Sequence, residues 1–203
     1  IIADKNLIEE QDRKFYFEKI IYLPNSYQPS EKYRFVSDKR FNKNQFNLPD
    51  DKFIFCCFNS NQKILKDIFN LWVKILKRSP ESILWLLSKN KNFIKNFKNE
   101  IEKQNINSDR IIFSEPIPVE EHLVRIKFAD LFLDTFPYNA HTTCSDSIWA
   151  GVPVLTKKGK SFHSRVASSL LKTSDLEELI THSDDEYVEK AVKIAIFTAF
   201  STY

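Results

Sequence analysis

"KFIFCCFNSNQKILKDIFNLWVKILKRSP", residues 52–80, is the stretch that decides the fold. Its first seven residues form an almost unbroken apolar run, closed by Asn-Ser-Asn. A run that short and that apolar reads as a strand buried on both faces. From Ile64 the pattern changes period. Ile64, Leu65, Ile68, Leu71, Trp72, Ile75 and Leu76 recur at intervals of three and four, one face of a helix that Pro80 closes. A buried strand passing through a short polar loop into an amphipathic helix is the first half of a parallel βαβ unit.

The rhythm continues outward. Strands are expected at 83–87 ("ILWLL"), 110–113 ("RIIF"), 131–134 ("LFLD") and 152–156 ("VPVLT"), and helices at 92–104, 119–129, 142–150, 163–172 and 184–197. Upstream, 19–23 reads as a strand, and the polar, punctuated 26–50 reads as a linker. Short apolar strands alternating with helices imply parallel pairing with right-handed crossovers. The fold class is α/β, a doubly wound, mostly parallel Rossmann-like sheet. Residues 51–203 form that domain, and 1–50 hold a tail from a preceding unit plus the linker. In such sheets ligands lie beyond the carboxyl ends of the strands. The loops 59–63, 88–91, 114–118, 135–141 and 157–163 are therefore the places to look.

Composition limits the partners. The chain has 203 residues, 42% of them hydrophobic, enough for a proper core. Thirty basic residues against 27 acidic give a net charge of only +3, and no basic block points to nucleic acid. The three cysteines, Cys56, Cys57 and Cys144, lack framework spacing, which fits a reducing, cytoplasmic setting. Cys56 and Cys57 lie within a strand and are expected simply to pack. No apolar run is long enough to span a bilayer, so no membrane partner is expected. There is no methionine, and the chain is expected to be a fragment of a longer protein.

Three loops carry chemistry. Lys63 stands at the start of a long helix, where the helix dipole disfavours a cation; either it is merely solvated, or an anion sits between it and the free amides. His122 and Arg125 are three apart and share a helix face. They form either a surface pair or a clasp for a planar base. In "HTTCSD", 141–146, Thr142 or Thr143 is a plausible N-cap with Asp146 at a capping-box-like position. That leaves His141 and the second threonine unassigned, at a helix start suited to phosphate. "KKGKS", 157–161, is not a phosphate loop, because Val154 stands where that motif needs its first glycine. No Asp-x-Asp clamp and no Cys/His cluster suggests a metal, so no cofactor is expected.

Read together, "DRKFYFEKIIYLPNSYQPS" (12–30), "FCCFNSNQKI" (55–64), "RIIF", "EHLVR" (121–125), "ADLFLDTFPYNAHTTCSDSIWAGVPVLT" (129–156) and "SRVASSLL" (164–171) resemble the bacterial-type and SPINDLY-like protein O-GlcNAc transferases. The resemblance covers nearly the whole chain. It implies a GT-B enzyme of two Rossmann-like halves, usually preceded by tandem helical repeats, of which this is the C-terminal, donor-binding half. It implies that Lys63 contacts the donor diphosphate and is catalytic. His122 would pack on uracil with Arg125 near the base, and His141, Thr142 and Thr143 would hold phosphate. Asp146 would bind ribose hydroxyls, and Ser60 and Ile117 are counted with the substrate-binding residues. Ser60 and Val119 stand where animal members carry a glutamine and a lysine, and Ala140 and Cys144 replace glycines.

The implied reaction is inverting, metal-independent transfer of a sugar, GlcNAc first among candidates, from a UDP-sugar to Ser or Thr hydroxyls of proteins. UDP-glucose and GDP-fucose are the donors of other relatives. The alternatives are a nucleotide-sugar-binding module without activity of its own, and a protein N-glucosyltransferase acting on Asn.

Overall fold

The computed structural model describes residues 1–200. Two short strands, β1 (Ile2–Ala3) and β2 (Ile21–Tyr22), pair in parallel at one side. The main sheet begins with β3 (Phe53–Cys57), followed by α1 (Lys66–Arg78), β4 (Ser82–Leu87), α2 (Lys91–Glu102) and β5 (Ile111–Ser114). Then come α3 (Val119–Arg125), β6 (Leu131–Leu133), α4 (Thr142–Trp149), β7 (Val154–Lys157), α5 (Val166–Thr173), β8 (Ile180–Thr181) and α6 (Asp184–Phe200).

Six strands lie in the order β5-β4-β3-β6-β7-β8, and every pairing is parallel. The chain winds outward from β3 to β5, returns to place β6 beside β3, and winds outward again to β8. The reversal falls between β3 and β6, and the crevice beyond their carboxyl ends is where a doubly wound sheet binds ligands. All of β6 and nearly all of β3 and β4 is buried, as strands covered on both faces must be. Trp72 of α1 and Trp85 of β4 are fully buried in the core. α1 packs against α6, and α4 lies between α3 and α5.

The expected strands and helices are present, with two short strands added. β1 and β8 have two residues each, too few to show a period. The helix expected over 119–129 stops at Arg125 and tightens into a 3₁₀ turn at Ile126–Phe128. The 26–50 stretch is not a free linker. Leu48 is buried and Phe46 packs on the core, its ring 5.7 Å from Trp85 and 6.1 Å from Phe128. A few apolar residues among many polar ones are enough to fasten it, and they have no period to betray them.

Candidate functional site

The site is built where β3 and β6 end. After β3 the backbone makes a 3₁₀ turn, Asn61–Lys63, before α1 starts. That turn brings Lys63 across the switch point: its Nζ donates to the carbonyl of Asn139 at 2.8 Å and lies 4.2 Å from the centroid of the Tyr138 ring. Burial lowers the Lys63 pKa, partly opposed by the buried charge of Asp134.

After β6 the loop is held from beneath by Asp134, which is 1% exposed. Its carboxylate accepts from the amides of Thr135 and Ala140 at 2.8 and 2.6 Å, from Thr156 Oγ1 at 2.6 Å and from Asn59 Nδ2 at 3.3 Å. Burial still raises its pKa to about 6, the bonds offsetting only part of the desolvation. Tyr138 stands above, its ring stacked with His141 at 5.0 Å and with His163 at 5.1 Å. His141 Nε2 is buried without a hydrogen-bond partner, and burial lowers the ring's pKa.

α4 does not begin as expected. Its N-cap is His141, and no side chain caps it. The Thr143 hydroxyl instead donates to Asn59 Oδ1 at 2.5 Å, and Asp146 is ion-paired to Arg34 at 2.5 Å. Both side chains of the expected capping pair are drawn to partners far away in the chain. The first amides of α4 are left without a side-chain partner, a positive helix end facing the crevice. The helix stops at Gly151, whose φ of +82° is the left-handed conformation that ends helices.

His122 and Arg125 do share one face, but they are buried rather than on the surface, 9% and 1% exposed. Arg125 Nε donates to His122 Nδ1 at 3.0 Å and its Nη1 donates to the Glu115 carbonyl at 2.7 Å. Nδ1 therefore accepts, and the His122 proton sits on Nε2. The ring meets Phe58 edge-on at 5.0 Å, and the guanidinium lies 5.8 Å from Phe58 and 5.9 Å from Phe46. Burial first, then the Arg125 and Arg34 charges, push the His122 pKa down to about 4, so the ring is neutral near pH 7.

The structure thus brings Lys63, His141 and Thr143 together with Thr142, which is exposed at the first position of α4. It sets His122 and Arg125 on the neighbouring α3. Ile117 is half-buried in the loop before α3, and Ser60 is exposed at the head of the 3₁₀ turn, capping nothing with its side chain. Asn59, Asp134, Tyr138 and Arg34 escaped the sequence reading. Asn59 and Asp134 had a signal: each is a polar residue at or just beyond the carboxyl end of a buried strand. Cys56, Cys57 and Cys144 are packed, their thiol pKa values raised by burial. In the "KKGKS" loop, Lys157 and Lys158 are ion-paired to Asp184 and Glu9. Among the described residues no helix is long and apolar enough to cross a membrane.

The family model for glycosyl transferase family 41 matches residues 36–200. The probable UDP-N-acetylglucosamine–peptide N-acetylglucosaminyltransferase SEC of Arabidopsis thaliana is 36% identical over 202 residues, 97% of this chain and 21% of that protein. The UDP-N-acetylglucosamine–peptide N-acetylglucosaminyltransferase of Caenorhabditis elegans is 39% identical over 150 residues, 74% of this chain and 13% of that protein. Among solved structures, a mutant of the Thermobaculum terrenum O-GlcNAc transferase superposes with a TM-score of 0.83 at 25% identity, over 98% of this chain and 38% of that one. The chain thus spans only about a fifth and about an eighth of the length of these two curated relatives.

Proposed function

The chain belongs to glycosyl transferase family 41, and from that premise we propose that it supplies the donor-binding half of a protein O-GlcNAc transferase. Its doubly wound sheet is of the GT-B glycosyltransferase type. In this reading a preceding Rossmann-like half, with helical repeats before it, orients the protein acceptor. The transfer is inverting: a Ser or Thr hydroxyl attacks the anomeric carbon in line, and UDP leaves.

The observation that carries the reading is the convergence at Asn139. The Lys63 ammonium, fixed 2.8 Å from that carbonyl, meets the loop that runs directly into the uncapped start of α4. A cation and a helix N-terminus at one point suit a diphosphate. As the sugar departs, charge grows on the β-phosphate, and these preorganised groups meet it there. His122, neutral and braced by Arg125, offers an uncharged ring to the base. Asp146 takes the ribose hydroxyls.

No metal is needed in this scheme. Lys63 and the α4 amides supply the charge that a cation would otherwise bring. Calorimetric titration of the 203-residue chain with UDP, with and without excess chelator, tests this. Equal affinity is expected in both. Affinity lost on chelation would overturn the metal-free reading.

A further inference from the structure

We propose that Arg34 is a positioning residue of the nucleotide site: it neutralises and orients Asp146 so that this carboxylate can serve a polyanionic ligand. The inference rests on the reading of Asp146 given above, and it assigns a part in the site to a segment that reads as a linker.

The path of that segment is the first observation. Ser30 Oγ lies 3.0 Å from Ser145 Oγ on α4, the Ser37 amide donates to the Glu120 carbonyl on α3 at 3.2 Å, and Lys39 Nζ donates to Glu121 at 3.0 Å. Residues 30–39 therefore run from α4 to α3 along the rim that carries Asp146 and His122. Arg34 lies midway. It pairs with Asp146, and its charge is one of those that depress the His122 pKa.

The second observation is the state of the pair. The Arg34 and Asp146 side chains are only 22% and 13% exposed, unlike the pair Lys39–Glu121 beside them, where the lysine is 54% exposed. A largely buried pair is screened little by salt, and removing one partner leaves an uncompensated charge. Here that charge would be a carboxylate at the mouth of a site for diphosphate, repelling the ligand it is meant to hold. Arg34 engages Oδ1 of Asp146, and a carboxylate has a second oxygen that can accept from hydroxyls. The guanidinium thus removes the repulsion and fixes the acceptor at once.

The test is a double-mutant cycle on the 203-residue chain, read by calorimetry with UDP and with uridine. Arg34→Ala is expected to weaken UDP binding about tenfold or more, the scale of a broken, largely desolvated charge pair. Uridine, which carries no phosphate, should lose clearly less. Arg34→Lys should recover part of the UDP affinity by restoring charge without the planar fork. In an Asp146→Asn background, Arg34→Ala should change little, because there is no carboxylate left to neutralise. Unchanged or tighter UDP binding in Arg34→Ala would overturn the proposal, as would an equal loss in both backgrounds, which would mean that Arg34 touches the ligand itself. Asp146→Asn alone separates the two readings: if it leaves nucleotide affinity intact, the assignment of Asp146 fails, whatever Arg34 does.

Discussion

The two helices that line the crevice are wired differently. On α3, the His122–Arg125 pair is local: three residues apart on one helix, closed by Glu115 ten residues back and by aromatic rings. On α4, almost nothing is local. Thr143 is held by Asn59, 84 residues away, Lys63 reaches Asn139 across 76, and Asp146 answers to Arg34 in a different part of the chain. A local pair is set once its helix forms. A long-range cluster needs the whole sheet in place first, and it can tune charges that no single helix brings together.

The largest expected effect comes from cutting the long-range cluster at Lys63. In the complete enzyme, Lys63→Ala should lower turnover roughly 10²–10³-fold, the usual cost of one preorganised donor facing developing charge. Thermal unfolding should move little, since the side chain's partners are one carbonyl and one ring face. Steady-state kinetics and an unfolding curve decide between roles. Wild-type turnover with a lowered melting temperature would make Lys63 a strut of the 135–141 loop and nothing more.

This contrast also explains what the sequence discloses. The sheet is readable because each buried strand must be apolar throughout, and each helix must show its 3.6-residue period; "KFIFCCF" and the Ile64–Leu76 face obey both rules. The His122–Arg125 face is readable for the same reason, since i,i+3 neighbours share a side of any helix. Its burial is not, because the rings that cover it, Phe46 and Phe58, come from other elements. At α4 the spacing of Thr143 and Asp146 suggests a capping box, and the structure gives both side chains to distant partners. Spacing reports only local competition, and here Asn59 and Arg34 win. Arg34 itself sits in a stretch without period, where no sequence rule marks one cation over another.

A smaller effect should follow from removing the keystone of the long-range cluster. Asp134→Ala deprives two amides, a hydroxyl and the Asn59 amide of their acceptor in a dry interior. Stability should fall by about 2–3 kcal/mol, the scale of unsatisfied buried groups. Nuclear magnetic resonance should show the change centred on the 135–146 loop and α4 with Asn59 and Thr156, and the His122 and Arg125 signals close to wild type. If the His122 signals shift as far as those of His141, the two helices are a single unit, and the contrast between them is false.

The smallest expected effect on binding is none at all, and it probes the local pair. His122 has a pKa of about 4 in the folded protein, against 6.5 for the ordinary side chain, because burial and then the Arg125 and Arg34 charges disfavour its protonated form. Between these values the unfolded chain binds a proton that the folded chain refuses. The stability contributed by the neutral ring is therefore complete above pH 6.5 and is lost as pH falls toward 4. Asp134 acts with the opposite sign: its raised pKa, about 6 against 3.8, makes the folded state the better proton acceptor in that interval, so its contribution grows as pH falls from 6. Comparing wild type with His122→Gln cancels the Asp134 contribution and leaves the His122 slope alone. For binding, uridine is the better probe, because Asp134 titrates beneath the phosphate side and the nucleoside lacks phosphate. Uridine affinity and the His122 ring-proton shift should both stay flat from pH 8 to pH 5. A midpoint near 6.5 in either would mean that the ring is open to water, and that α3 presents a surface histidine rather than a neutral, braced one.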